Sequence, residues 1–411
     1  MVICMYDKKR YIAIIKTAVK LLLITVLLFL GETERAEAST PVKVNLSSAL
    51  TDGTGYGSSM QGDPADDMDY TEIQEVIKDI MGKGNQFDFG AYVNKLISGE
   101  APFSLSAIVN EILTGVKGEV KANLSTFGSL ITIALIAALF TNLSLAFKNN
   151  QVSETGYYVT YLLLFALLIS TFITASQIAS TTIHSILDFM KALVPTYFMS
   201  VAFTTGSATS MVYYETALML ITLVDFILIR LIIPMINFYL VIVLANNLSK
   251  EDILSKLAEL IATAVSWMLK SLLAAVIGVN AIQGLIAPVI DQVKRSAVIR
   301  ATEAIPGIGD ALGGVTETLL GAGVLLKNAI GVAGLVVLII IAAVPFLKLL
   351  VVAAVYKVGS AVLQPVSDKR FIECISASGK SAAMLLQAIF VGTALFLLSI
   401  TIVAVTTGSM M

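Results

Sequence analysis

The sequence predicts an all-α membrane protein that crosses the bilayer six to eight times. Apolar residues make up 57% of its 411 residues and charged residues only 14%, and the mean hydropathy is +0.87. A soluble protein has no core large enough to bury so many apolar side chains. The apolar residues also fall in uncharged intervals that are each long enough to span a bilayer. These intervals are 122–147, 155–187, 271–290, 328–347 and 381–411.

Residues 1–38 have the layout of a cleavable secretory signal peptide. Basic residues between Lys8 and Lys20 precede the apolar run Leu21 to Leu30, and the small-residue pattern Ala36-Glu37-Ala38 follows. We predict cleavage after Ala38, with an uncleaved membrane anchor as the alternative. Either outcome places the next segment outside the cytoplasm.

Residues 39–125 are predicted to form a small, acidic, extracytoplasmic region. Six lysines stand against twelve aspartates and glutamates, which excludes nucleic-acid binding. The first third is rich in Gly, Ser and Asp and predicts a linker. An apolar stripe at Ile73, Val76, Ile77 and Ile80, after the cap residue Asp69, predicts a helix, and a second stripe at 105–120 predicts another. Such stripes indicate a small core, a helix on the membrane surface or a partner-docking face.

Residues 126–411 are predicted to form the multipass membrane domain, which starts with spans at 126–147 and 157–178. The apolar run from Met211 to Asn247 is too long for one upright helix. An interior proline interrupts helical hydrogen bonding, so we expect a turn at Pro234 between two short spans, with Arg230 at the water interface. One long, kinked and tilted helix is the alternative.

Four prolines suggest an internal repeat. Pro195 and Pro234 lie 39 residues apart, as do Pro306 and Pro345, and a shift of 111 residues relates the two pairs. We predict copies at about 157–287 and 268–406, with these prolines as hinges. If Pro234 and Pro345 both mark hairpins, the chain has eight spans, three in each copy, and the copies are inverted, as in many transporter cores. If each run is one helix, the chain has six spans.

The sequence has little that could support catalysis. It contains one histidine, His184, and two cysteines, Cys4 and Cys374, too few for most metal clusters. No serine or cysteine has a recognisable base partner. The string SASGKS at 376–381 lacks the first glycine of a phosphate-binding loop, because Cys374 occupies that position. We therefore predict that the protein is not an enzyme and holds no cofactor or metal.

Polar residues inside the apolar runs are the candidate functional residues, because ionisable groups in a membrane tend to face cavities or each other. Asp225 is the most specific candidate: it could couple ions or protons in transport, pair with Arg230 or Lys327, or lie near the interface. Glycines between 307 and 334 predict either close helix packing or a flexible gate. The candidates are Asp225, Arg230, Asn237, Asn280, Gln283, Lys327 and Gln387.

Three strings, together with the signal and the acidic region, resemble the stage III sporulation protein AE family of endospore-forming bacteria. They are ALVPTYFMSVAFTTGS, VIDQVKRSAVIRATEAIPGIGDALGG and SDKRFIECISASGKS, and the resemblance extends over essentially the whole chain. It implies a multipass protein of the mother-cell membrane around the forespore, where membrane lipid surrounds it. It also implies a secretion-like complex with the other stage III sporulation A-series proteins and stage II sporulation protein Q.

The resemblance further implies that this complex supports late, forespore-specific sigma factor activity, and it transfers no site residues. The leading hypothesis is therefore a non-enzymatic membrane core of a channel between mother cell and forespore. A stand-alone secondary transporter that uses Asp225 for coupling is the alternative. A passive assembly scaffold is a third interpretation.

Overall fold

The computed structural model describes residues 68–81, 87–99, 128–129, 132, 150–248, 253–303, 309–365 and 367–408. The regular structure in these ranges is entirely helical, as predicted. Two short helices, α1 (Thr71–Met81) and α2 (Phe89–Ile97), precede the long ones. The long helices are α3 (Asn150–Thr205), α4 (Ser207–Asp225), α5 (Ile233–Leu248), α6 (Ser255–Glu303), α7 (Gly309–Leu363) and α8 (Lys369–Gly408), with a π-helix, Phe226–Ile232, between α4 and α5.

Among the described residues, five stretches are long and apolar enough to cross a membrane, which confirms the predicted class of multipass helical membrane protein. They are Tyr158–Thr205, Thr209–Leu248, Ser255–Gln283, Gly321–Leu363 and Lys369–Thr407. Apart from Gly128, Ser129 and Thr132, the predicted first span, 126–147, lies outside the described residues, as do the signal peptide and the linker.

The predicted hairpins at Pro234 and Pro345 are wrong. The helical path from Ser207 to Leu248 continues through Pro234, and α7 continues through Pro345. A proline removes one helical hydrogen bond and crowds the carbonyl one turn earlier. In the first run the π-helix that ends directly before Ile233 widens this turn, which is one way membrane helices tolerate proline. Pro195 also lies inside a helix, α3, and Pro306 is outside the described residues.

The long helices form an up-and-down bundle. α3 and α4 reverse direction at a single residue, Gly206, whose φ of 108° favours glycine. Further along, the Ser176 hydroxyl of α3 donates to the Asn237 side chain of α5 at 2.9 Å. Near the far end, the Tyr161 hydroxyl donates to the Leu244 carbonyl.

The bundle also corrects the predicted inverted repeat. α7 runs antiparallel to α3, because Gly323 packs near Phe203 while Gly334 packs near Leu193. The helix that contains Pro234 is antiparallel to α3 as well. The two helices related by the shift of 111 residues therefore run in the same direction. An inverted repeat would require the chain to reverse direction at Pro234 and at Pro345. Both helices continue through these prolines instead. The repeat itself stays a prediction.

The short helices α1 and α2 pack on the bundle, α1 against α3 and α2 against α7. The predicted cap is confirmed, since the Asp69 carboxylate accepts from the Thr71 backbone N–H at 2.9 Å. The side-chain hydrogen bond with Thr71 lowers the pKa of Asp69 below its usual value. Ile73 and Ile77 are buried, as the stripe predicts. The stripe at 105–120 lies outside the described residues.

Candidate functional site

Four helices enclose a small cavity near the end of the bundle that contains Gly206. Its volume is about 30 Å³, which admits one or two water molecules. α3, α4, α6 and α8 supply the lining, which is mostly apolar. The polar side chains among the lining residues are Tyr197, Tyr213, Asn280, Gln283 and Ser399.

Asn280 links α6 to α8 at this cavity. Its side-chain amide is buried and donates to the Ser399 hydroxyl at 3.1 Å and to the Val276 carbonyl at 2.9 Å. Because a buried amide without partners costs free energy, these bonds make its burial tolerable. Gln283 follows one turn later, half-buried, on the same side of α6. The structure thus brings these two predicted candidates to one place.

Two tyrosines attach α3 and α4 to α8. The Tyr197 hydroxyl donates to the Ile400 carbonyl at 3.4 Å, and the Tyr213 hydroxyl lies 3.2 Å from the Thr406 hydroxyl. The ring of Phe198 stacks on Tyr213 with an interplanar angle of 7°. These contacts hold three helices around the cavity.

Lys327 is fully buried between α7 and α8. Its ammonium group donates to the Thr407 hydroxyl at 2.9 Å and to the Ala404 carbonyl at 3.5 Å. A charged group inside a membrane bundle is expensive unless polar atoms surround it. Lys327 therefore fixes the C-terminal turn of α8 against α7.

Glycines form the seam between α3 and α7. A methyl group added at Gly334 would lie 2.6 Å from Leu193 Cδ2, and one at Gly331 would lie 3.3 Å from the Tyr197 ring. The sequence predicted either close helix packing or a flexible gate at these glycines, and at this seam the helices pack closely. Gly321 faces open space, and the surroundings of positions 307–314 lie outside the described part of the chain. The gate remains a prediction.

Asp225 and Arg230 lie away from the cavity and from Lys327. Asp225 is half-buried at the end of α4, and Arg230 is exposed in the π-helix. Asp225 comes twelve residues after Tyr213, so it lies about 18 Å further along the helix. Within the ranges that the structure describes, no ion pair joins Asp225 to Arg230 or to Lys327. The expected pairing is absent because Lys327 lies at the level of Thr407.

The π-helix itself contacts α8 through a glycine. Leu228 is fully buried, and a methyl group added at Gly392 would lie 3.0 Å from its Cδ1 atom. π-Helical turns occur frequently at functional sites. The sequence signal that could have indicated it is Pro234 itself, which was interpreted as a turn.

The remaining candidate residues either bond to a neighbouring group or lie on the surface of a helix. Asn237 accepts the hydrogen bond from Ser176 described above. Gln387 is half-buried in α8, and His184 is exposed, with its ring nitrogen 2.9 Å from the Ser180 carbonyl. In the part of the chain that is described, no group of three His, Cys, Asp or Glu side chains could hold a metal ion.

The sequence did not identify several of the polar residues around the cavity and Lys327. Tyr197, Tyr213, Ser399 and Thr407 sit in apolar helices, and the hydroxyls of Ser399 and Thr407 also bond to their own helix. Because Ser and Thr side chains often bond to their own helix in this way, a single sequence gives no sign that they face a neighbouring helix.

Five long apolar helices with hydrogen-bonded polar groups buried between them define a multipass α-helical membrane protein. The family model of stage III sporulation protein AE matches residues 87–407. The chain belongs to this family, which confirms the resemblance found in the sequence. It is similar to stage III sporulation protein AE of Bacillus subtilis (strain 168), with 27% identity over 317 residues, 77% of this chain and 79% of that protein. No solved structure matches the chain.

Proposed function

We propose that this protein is an integral membrane component of a secretion or channel complex that links the mother cell and the forespore. In this role it supports forespore development and late forespore-specific sigma factor activity. The observation that carries the proposal is the family match over residues 87–407, which includes all five long apolar helices. The proposed partners are the other stage III sporulation A-series proteins and stage II sporulation protein Q.

The cavity among α3, α4, α6 and α8 is too small to be a path for a secreted solute, which is compatible with a role within an assembly. Its volume is about 30 Å³, far less than a secreted solute requires. The tyrosine, asparagine and lysine contacts also tie neighbouring helices firmly together. We therefore propose that the bundle contributes part of the wall of a conduit that several chains build together.

The distribution of basic residues supports an orientation in the mother-cell membrane. The basic residues nearest in sequence to the starts of α3, α6 and α8 include Lys148, Lys250, Lys256, Lys369, Arg370 and Lys380. Those towards the opposite end of the bundle include Lys191, Lys294, Arg295 and Arg300. The excess at the end where these helices start favours the cytoplasm there. Gly206 and residues 39–125 are then extracytoplasmic.

The test combines genetics with purification from a sporulating host. Deleting the gene should abolish expression of a reporter for late forespore transcription, and a tagged chain should restore it. The tagged chain should also co-purify with the A-series proteins from sporulating membranes. Purification of the chain alone, together with full reporter expression in the deletion strain, would contradict the proposal.

A stand-alone transporter is the second candidate, and one observation favours it. The π-helix begins directly after Asp225, and helical irregularities beside ionisable residues are typical of ion-coupled sites. Purified protein in liposomes separates the two candidates. A transporter moves solute alone and loses this activity on Asp225→Asn, whereas a complex subunit is inert without its partners.

A further inference from the structure

α3 exposes a line of polar side chains along the middle of its length. Between positions 170 and 191 eight residues are exposed, and all of them except Ile173 are polar. We call these seven polar residues the polar stripe: Ser170, Thr174, Gln177, Thr181, His184, Asp188 and Lys191. They follow one another at steps of four and three residues, which places them on one side of an α-helix. At the helical rise the polar stripe is about 32 Å long, close to the thickness of the hydrocarbon core of a bilayer.

The polar stripe is confined to one side and to the central part of α3. The opposite side of the helix is buried in the bundle, for example at Ile183 and Leu187. On the exposed side, apolar residues flank the stripe in both directions, with Leu163 before it and Met199 after it. Along a single line, α3 therefore exposes first apolar, then polar and then again apolar side chains.

Most of the polar stripe lies where the sequence favours the membrane. The stretch Tyr158–Thr205 is long and apolar enough to cross a bilayer, and residues 155–187 contain no charged side chain. Five of the seven stripe residues fall within this uncharged interval. The two charged ones come last, and the Lys191 ammonium group lies 2.9 Å from the Asp188 carboxylate. The stripe thus runs from inside the uncharged interval to an ion pair at its end.

At the same level of the bundle, α5 exposes apolar side chains. The hydrogen bond of 2.9 Å between Ser176 and Asn237 fixes the levels of α3 and α5 relative to each other. Gln177 and Phe238 directly follow these two partners in the sequence, so they lie at nearly the same level, and both are exposed. Phe238 is 64% exposed, and Val241, about one turn later, is 47% exposed. One cross-section of the bundle therefore has a polar side on α3 and an apolar side on α5.

Lipid on one side and water on the other account for this contrast. Lipid covers exposed Phe and Val side chains well, whereas a row of hydroxyl, amide and imidazole groups in hydrocarbon loses its hydrogen bonds to water. If water surrounded the whole bundle at this level, the apolar side at Phe238 would face water instead, which is unfavourable. Lipid at α5 and water at α3 satisfy both sides.

We propose that the polar stripe of α3 faces water within the membrane and is the part of this chain that lines the conduit. This inference rests on the proposed function, in which several chains build the conduit together. Asp188 and Lys191 pair with each other, whereas pores that select ions by charge use rings of side chains of one sign. The lining therefore admits hydrated polar molecules and does not select them by the sign of their charge.

Cysteine reactivity tests whether the stripe faces water. In a Cys4→Ser, Cys374→Ala background, Gln177→Cys and Thr181→Cys are compared with Phe238→Cys and Val241→Cys in native membranes from sporulating cells. A membrane-permeant maleimide reaches all sites but reacts with the thiolate, which forms in water and is disfavoured in lipid. We expect the two stripe cysteines to react at least about tenfold faster than the two α5 cysteines.

Two labelling results would overturn the proposal. One is equal rates on the stripe and on α5. The other is slow labelling of the stripe that becomes fast in a strain without the A-series proteins, which would make the stripe a contact with a partner protein. Because Cys374 is buried, the same four variants are also measured with Cys374 retained. They give the readout if the cysteine-free chain fails to accumulate.

Charged reagents test the kind of cargo. Cationic and anionic methanethiosulfonates of similar size are applied to both sides of the same membranes. We expect them to modify Gln177→Cys at rates within about fivefold of each other, because the stripe contains one carboxylate and one ammonium group. A larger preference for one sign would contradict a lining that does not select by charge.

Leucine substitutions test whether the stripe belongs to the conduit. Gln177→Leu combined with Thr181→Leu makes the centre of the stripe apolar and leaves the buried side of α3 unchanged. Because apolar constrictions exclude water, we expect the protein to accumulate normally while the late forespore reporter falls at least about tenfold. Phe238→Leu with Val241→Leu is the matched control and should keep full reporter expression, as should the conservative pair Gln177→Asn with Thr181→Ser.

The outcomes separate this inference from the proposed function. Fast labelling of the stripe together with full reporter expression in the leucine variant would overturn its place in the conduit and leave the proposed function intact. Failure of the proposed function would appear independently, as full reporter expression after deletion of the gene.

Discussion

Lys327 and Asp225 lie in two regions that treat an ionisable residue in different ways. Around Lys327, helices approach closely and hydroxyl and carbonyl groups of α8 surround the ammonium group. Around Asp225, the helix changes to a π-helix, and the carboxylate stays half-buried outside any ion pair described for this part of the chain. Lys327 therefore contributes to the packing of the bundle. No described ion pair gives Asp225 such a structural role.

The largest effect is expected where the seam is tightest. Gly334→Val should lower the free energy of unfolding by about 1–3 kcal/mol, because its side chain enters the space of Leu193. Gly278→Val is the matched control, since a methyl group there meets nothing within 4 Å. Thermal unfolding in detergent measures both. Leu193→Ala should partly rescue Gly334→Val, and the absence of any rescue would argue against this contact.

Removing the buried lysine should have the next largest effect. Lys327→Ala deletes two hydrogen bonds and leaves a void, which we expect to cost about 2 kcal/mol. Lys270→Ala is the control, because Lys270 is exposed on α6. Denaturation of the two variants in the same detergent gives the comparison. Equal stability of both would show that Lys327 does not contribute to packing.

Neutralising Asp225 should hardly change stability. Asp225→Asn keeps the shape of the side chain and breaks no described ion pair, so we expect a change within about 0.5 kcal/mol. For a subunit of a complex, late forespore transcription should also be retained. A stable Asp225→Asn protein that fails to support this transcription would favour the transporter instead.

The smallest effect concerns the cap of α1 and depends on pH. The pKa of Asp69 is lowered in the folded protein by its hydrogen bond with Thr71. Its stabilising effect is therefore present above the ordinary aspartate pKa and is lost as the pH falls through the lowered pKa. The protection factors for hydrogen exchange in the first turn of α1, which correct for the intrinsic pH dependence of exchange, should be highest at pH 5–8 and should fall below about pH 4. Asp69→Asn should remove this pH dependence, and an unchanged profile would contradict the cap.

Local patterns predicted the class and several elements of the fold. Uncharged apolar intervals indicated the membrane helices, and the isoleucine stripe after Asp69 indicated α1, because both signals depend only on neighbouring residues. Pro234 misled the interpretation, since a π-helix can absorb a proline that would otherwise end a helix.

The contacts between helices could not be predicted from one sequence. Lys327 was recognised as a candidate, but its partner Thr407 lies 80 residues later, and the register of two helices is set by packing. For the same reason, the contacts of Leu193 with Gly334 and of Leu228 with Gly392 could not be predicted. Glycines in a membrane helix indicate close packing, but they do not show which neighbouring helix makes the contact.

The most direct test of the bundle is the sidedness of Ser207, at the start of the helical path through Pro234, and of Ile253, which follows the end of this path at Leu248. Each is replaced by cysteine in the Cys4→Ser, Cys374→Ala background and treated with a membrane-impermeant maleimide in whole cells and in inverted vesicles. The account predicts that Ser207→Cys reacts in cells and Ile253→Cys only in inverted vesicles. Labelling of both from the same side would contradict a single crossing and restore the hairpin at Pro234.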